Sequence, residues 1–206
     1  MNYNIKENTT PVLADYARTD ILVYDDFLPL SEQENIFGFL RAPGWGFGAF
    51  SDSSPTASRY WYKHFAGYLR DGSETLSPLQ IEAELATTAP LLAAMWTRLK
   101  ASVIEGHSLA RCYANGYPTG SEGGLHRDSN IPTHYTLIYY PFFAWHPNFG
   151  GETVFFNRDG SDIIAAIYPR PNRVVMFPGV IPHVARGLSR GCQELRITLM
   201  FKTTGP

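Results

Sequence analysis

The sequence predicts a mainly β, α+β fold: a double-stranded β-helix, or jelly roll, with amino-terminal helices packed on one sheet. Three observations lead there. After residue 106 the chain breaks into short segments such as HSLARCY, HYTLIYY, ETVFF, DIIAAIY, RVVMF and ELRITLMF, rich in aromatic and β-branched side chains. Gly, Pro, Asn and Asp separate them at short intervals, as sandwiches and barrels require of strands that turn often. Apolar residues at helical spacing, by contrast, fall before residue 106.

Taken in order, ILVYDDF (21–27) reads as a strand ending in a turn at Pro29. Ser31 followed by Glu34 has the spacing of a capping box, which predicts a helix over 31–41. Residues 42–58, APGWGFGAFSDSSPTAS, are rich in Gly, Ser and Pro and predict a loop. Ser77-Pro78 supplies a cap and a first-turn proline for a second helical region, broken near Pro90 and continuing through LLAAMWTRLKASV. The length, 206 residues, suits a single domain. Within it, 1–105 contributes a strand, helices and substrate-side loops, and 106–206 the jelly-roll core.

The composition is that of a globular protein, 44% hydrophobic and 17% charged. A net charge of −2 argues against a nucleic-acid backbone or an anionic membrane as partner, since both select for basic excess. The cysteines, Cys112 and Cys192, form no C-x-x-C pair and no disulfide framework. MNYNIKENTT lacks the basic and apolar regions of a secretory signal, and PLLAAMW is too short to span a bilayer. A cytoplasmic location is expected. An aromatic share of 14% is compatible with a homodimer, although no interface is legible.

The chemistry concentrates in GLHRDSN, residues 124–130. On a strand, residues two apart share a face, so His126 and Asp128 point together while Arg127 points away. An isolated H-x-D is weak, and an ordinary polar strand end explains it equally well. His183, in FPGVIPHVAR, offers a third ligand. Two histidines and one carboxylate form the facial set of non-haem iron(II) oxygenases, which leaves coordination positions open. Thirteen residues further on, Arg196 interrupts the apolar strand ELRITLMF. A buried guanidinium requires an anionic partner, and Thr198 on the same face adds a hydroxyl suited to gripping a carboxylate.

These pieces resemble the iron(II)/2-oxoglutarate-dependent dioxygenases, specifically the prolyl-4-hydroxylase-like branch. The resemblance rests on ARCYANGY leading to HRD, TLIYYP followed by GGETVFF, RPNRVVMFPGVIPH, and ELRITLMF, and it covers about half of the chain. It implies iron(II) held by His126, Asp128 and His183, with 2-oxoglutarate as cosubstrate, dioxygen as oxidant and ascorbate as a stimulant. It further implies that Arg196 pairs with the far carboxylate of 2-oxoglutarate, helped by Thr198 and Tyr113. Arg111, on the face of Tyr113, is placed with cosubstrate or substrate. Glu152 and Thr153 read as structural, because Gly150-Gly151 marks a tight turn entering a strand.

The implied reaction is hydroxylation of an unactivated C–H bond with release of succinate and CO₂. Asp128 stands where halogenating relatives carry Gly or Ala, which disfavours chlorination. Arg196 replaces a common lysine, and Pro141 replaces an asparagine, which weakens a peptidyl-proline reading without touching the iron site. A small-molecule substrate, an amino acid or biosynthetic intermediate, is favoured because no extended acidic or basic groove is evident. The alternatives are a prolyl-type protein hydroxylase and a non-catalytic jelly-roll binding module. The substrate side is expected in residues 44–65, with Trp45, Arg59, Trp61, Tyr62 and His64 as lid candidates. Anchoring of Trp61 and Tyr62 on the core is the plain alternative.

Overall fold

A computed structural model describes residues 15–51, 58–68 and 76–206. MNYNIKENTT and most of SDSSPTAS thus lie outside the described residues. The larger of two sheets contains β1 (Leu22–Tyr24), β2 (Gly46–Ala49), β3 (Tyr60–Ala66), β4 (Ser108–Tyr117), β5 (His134–Tyr140), β8 (Arg173–Pro178) and β10 (Arg196–Thr204). Its spatial order is β1-β8-β5-β10-β4-β3-β2. The smaller contains β6 (Thr153–Phe156), β7 (Ile163–Ile167) and β9 (His183–Ala185), ordered β7-β6-β9. Every pairing is antiparallel. Among the described residues the α-helices are α1 (Leu30–Arg41), α2 (Pro78–Thr88) and α3 (Pro90–Ser102).

Strand alternation sorts the side chains of β10 between two environments. Ile197, Leu199 and Phe201 join the core beneath the helices, where Phe201 stacks on Trp96 of α3 at 6.0 Å. Arg196, Thr198, Met200 and Lys202 occupy the opposite face. Register with β4 sets these four beside Tyr117, Asn115, Tyr113 and Arg111. The inner face of the large sheet is therefore polar along its central strands, and the small sheet covers one end of it: Arg196 donates to Thr153 at the start of β6.

Several expectations are met and several corrected. Ser77 caps α2, with its hydroxyl accepting from Gln80 N and the Gln80 amide oxygen accepting from Ser77 N. Pro90 divides α2 from α3. Gly150 and Gly151 take φ of +68° and +81° at the turn into β6. The Ser31–Glu34 capping box does not form, because the helix starts one residue earlier: Pro29 is the cap, and its carbonyl accepts from Gln33 N.

The 42–58 loop is only partly a loop, since β2 lies within it. β2 pairs with β3, a strand absent from the sequence reading, and β3 pairs with β4. The glycines of GWGFG that signalled a turn instead mark close approach. A Cβ on Gly46 would sit 2.7 Å from the Tyr62 ring. The large sheet thus takes three strands, β1 to β3, from before residue 106. GLHRDS is not a strand either; only His126 bridges, to His183.

Asn172 ties the sheet to α1. It adopts φ +56°, donates Nδ2 to Leu28 O (2.8 Å), and accepts at Oδ1 from Leu28 N (3.0 Å) and Tyr139 Oη (3.2 Å). Among the described residues no helix is long and apolar enough to cross a membrane. Asn172→Ala is expected to lose roughly 2–4 kcal/mol of unfolding free energy, from stranded buried partners and a left-handed backbone that alanine disfavours. Denaturant titration measures it, and a loss below about 0.5 kcal/mol contradicts this role.

Candidate metal centre

His126 and His183 meet across an isolated antiparallel bridge, each backbone N–H donating to the other's carbonyl at 3.1 and 2.9 Å. Asp128 is fixed by its own N–H to Gly179 O (2.8 Å), while Gly179 N donates to His134 O (2.7 Å) on β5. The segment carrying H-x-D is thus clamped to both sheets. This clamp, rather than strand alternation, turns the two side chains the same way.

Each imidazole Nδ1 lies 2.9 Å from a backbone carbonyl two residues upstream, Gly124 O for His126 and Ile181 O for His183. A carbonyl can only accept, so each Nδ1 carries the proton and each Nε2 presents its lone pair. Both lone pairs converge on Asp128, with Nε2 3.4 Å from Oδ1 for His126 and from Oδ2 for His183. One ligand atom from each of the three residues falls within 4.8 Å of the others. Such a nitrogen–oxygen set suits a divalent first-row ion.

Asp128 has further partners that the sequence did not indicate. Thr136 Oγ1 donates to Oδ2 at 2.7 Å, and the Lys202 ammonium pairs with the same oxygen while also donating to Thr136 at 3.0 Å. Burial works against ionisation of Asp128, but the Lys202 charge leads the effects that outweigh it and hold the carboxyl well below the usual range. The alternation of Arg196, Thr198 and Met200 along β10 would have pointed to Lys202 had the strand been followed two residues further.

Arg196 is 1% exposed. Its Nε donates to Gly151 O (2.6 Å) and Nη2 to Thr153 Oγ1 (2.9 Å), while Tyr117 and Tyr140 flank the guanidinium at 5.6 and 5.7 Å. Gly151 permits this approach, since a Cβ there would lie 3.0 Å from Arg196 Cδ. Among the described residues no carboxylate pairs with Arg196 and nothing bonds Nη1. Arg196 and Thr198 line a narrow chamber of about 50 Å³ together with His126, Asp128, His183 and Tyr113. Burial raises the Tyr113 phenol well above its ordinary value, which keeps its O–H a donor. Thr153 has the structural role expected of it, holding Arg196 and the Tyr140 hydroxyl.

The chamber adjoins an outer cavity of about 780 Å³ that shares His126, Asp128 and Tyr113 and adds Tyr62, His64, Arg111 and Lys202. Of the lid candidates, Tyr62 and His64 line it. Trp45, Arg59 and Trp61 do not. Trp45 donates to Leu40 O and lies beneath Lys63, Trp61 is half-exposed against Phe47, and Arg59 covers the Phe50 ring from outside. Strand parity in β3 explains the split, with Tyr60, Tyr62 and His64 on the cavity face and Trp61 and Lys63 on the other. Arg127 turns from the ligands, as expected, to Val180 and Arg158 carbonyls.

His64 accepts from Arg111 Nη2 at 3.1 Å, and burial together with the Arg111 charge lowers its pKa to about 4. Its neutral form therefore contributes stability that is fully present above the ordinary value of 6.5 and is lost as pH falls through about 4. NMR titration should find the His64 midpoint near 4 and a rise when Arg111 becomes Gln; an ordinary midpoint in the wild type contradicts the contact.

Compared by sequence, the chain matches no protein-family model and no curated protein. Its fold is similar to solved structures of prolyl hydroxylases and other 2-oxoglutarate/iron(II) oxygenases. A prolyl-4-hydroxylase of Pseudomonas putida superposes with a TM-score of 0.60 at 15% identity, over 91% of this chain and 93% of that one. A 2-oxoglutarate/iron(II) oxygenase-family oxidoreductase of Burkholderia pseudomallei gives 0.59 at 16%, over 91% and 86%. HygX of Streptomyces hygroscopicus, with nickel and 2-oxoglutarate bound, gives 0.59 at 12%, over 90% and 83%.

Proposed function

We propose that this protein is an iron(II)/2-oxoglutarate-dependent oxygenase that hydroxylates an unactivated C–H bond of a small molecule, an amino acid or biosynthetic intermediate. The observation that carries this reading is one chamber holding both a convergent His126, Asp128, His183 set and a buried arginine with no carboxylate of its own. The residues fit the implied groups. Two imidazoles locked with Nε2 free and one ionised carboxylate would hold the metal. Arg196 Nη1, with Thr198 and the Tyr113 hydroxyl nearby, would receive the distal carboxylate of the keto acid.

When bound, iron(II) with 2-oxoglutarate and dioxygen would supply an oxidant strong enough for an aliphatic C–H bond, as the keto acid is consumed and succinate and CO₂ are released. The protein's part is positioning and exclusion. Gly124 O and Ile181 O orient the two imidazoles, and Thr136 orients Asp128. Gly151 and Thr153 keep the Arg196 fork aimed into the chamber. Met200 and Ile138 supply apolar wall between the arginine and the metal ligands, limiting water.

Succinate formation from 2-oxoglutarate with Fe(II), ascorbate and a panel of small-molecule substrates tests the proposal. The wild type should exceed a His126→Ala control, and equality across the panel contradicts it. Arg196→Gln should raise the KM for 2-oxoglutarate roughly ten- to hundredfold, the worth of a lost charge-assisted pair. An unchanged KM would place the cosubstrate carboxylate elsewhere. Asp128→Gly should abolish hydroxylation and weaken iron binding, read by metal titration; full turnover would show the triad is misassigned.

A further inference from the structure

The outer cavity contains a second arginine that the proposed chemistry leaves unused. Arg111 lies on the inner face of β4, in register with Lys202 of β10. Its guanidinium sits 4.5 Å from the Tyr113 ring centroid and 5.7 Å from that of Tyr68. Among the described residues its hydrogen bonds go to His64 alone, whose low pKa leaves it a neutral acceptor near neutral pH. Nε is buried with no partner, and among the described residues no carboxylate pairs with Arg111.

The charge census of the cavity is lopsided. Its cations are Arg111, Lys202 and, at the exposed rim, Arg127, against a single carboxylate, Asp128, among the described lining residues. Asp128 is already matched by Lys202 and by its place among the metal ligands. Among the described residues Arg111 is therefore left as an uncompensated cation in a recess, a state that an anionic ligand relieves. The remaining wall is aromatic, with Phe47, Phe50, Tyr60, Tyr62 and Tyr68. About 780 Å³ is the size of a small-molecule site rather than a peptide groove.

We propose that Arg111 is the specificity anchor of the substrate site and that the substrate is a small carboxylate with an apolar, ring-sized body. The planar fork, held edge-on by His64 and faced by Tyr68 and Tyr113, grips the carboxylate bidentately. The body lies along Phe47, Phe50 and Tyr62, toward the chamber that holds His126 and Asp128. Arg196 and Arg111 thereby divide two carboxylates between them, the cosubstrate's inside and the substrate's outside. This assignment rests on the oxygenase reading for its reaction, but not for its binding.

The probe pair is 3-phenylpropionate and 3-phenylpropionamide, which share a body and differ in the anion. Binding is followed by saturation-transfer NMR and titration on the full chain treated with Zn(II) and saturating 2-oxoglutarate, with Zn(II) uptake measured separately. The acid should bind the wild type roughly ten- to hundredfold more tightly than the amide. Arg111→Gln should reduce the acid to the level of the amide, and Arg111→Lys should recover part of the difference. Zn(II) uptake should be unchanged in both variants. Equal binding of acid and amide to the wild type, which needs no variant, overturns the proposal. So does absence of acid binding, or loss of the preference in Arg196→Gln but not in Arg111→Gln. Failure of Zn(II) uptake with the acid preference intact overturns the oxygenase reading instead and leaves the anchor standing.

Discussion

The central strand β10 is buried on both faces, yet it carries an arginine and a lysine. That constraint organises the molecule. A strand between β5 and β4 cannot turn a charge to solvent, so its second face must be supplied with polar partners from the sheet opposite and from neighbouring strands. Arg196 is met by Gly151, Thr153 and two tyrosine rings, and Lys202 by Asp128 and Thr136. The other face, Ile197, Leu199 and Phe201, joins the core under α3 and fixes the strand's rotation. A slip of one residue would put Arg196 under the helices and Leu199 in the chamber, so register and site are specified together.

The proposed metal ligands follow from the same closure. The bridge between His126 and His183 is the point where the loop after β4 is stitched to the small sheet, so the two imidazoles are brought together by backbone hydrogen bonds and not by the ion. Carbonyls then choose the tautomer of each ring. The arrangement is preorganised: the donors stand ready, and Lys202 balances Asp128 beforehand. A bound metal would share Asp128 with Lys202, while Thr136 keeps the carboxylate oriented.

Much of this was legible in the sequence because it depends on residue type in a telling context. An arginine inside ELRITLMF stands out for its cost, and H-x-D gains meaning from the histidine and arginine downstream. What depended on register was not legible. Alternation from Arg196 puts Lys202 on the inner face, but only pairing with Arg111 and Thr136 sets it against Asp128. Strand β3 was hidden by the glycines before it, and with it the parity that admits Tyr62 and His64 to the cavity and excludes Trp61. Trp45 signalled a lid by composition alone, whereas its indole N–H is taken by Leu40 at the end of α1. The GLHRDS segment pointed to two side chains that do converge, but by strand alternation, a reason that the structure replaces with a bridge and a Gly179 clamp.

The claim at the centre is that one chamber binds a metal through His126, Asp128 and His183 and a keto acid through Arg196. Anaerobic titration of 2-oxoglutarate into the Fe(II)-loaded protein addresses both halves at once, through the visible absorption that Fe(II) acquires when a keto acid chelates it. The account predicts a band that saturates at one equivalent per bound iron, that is absent without His126, and whose half-saturation moves to higher 2-oxoglutarate in Arg196→Gln. No band in the wild type, or a band indifferent to both substitutions, would contradict it.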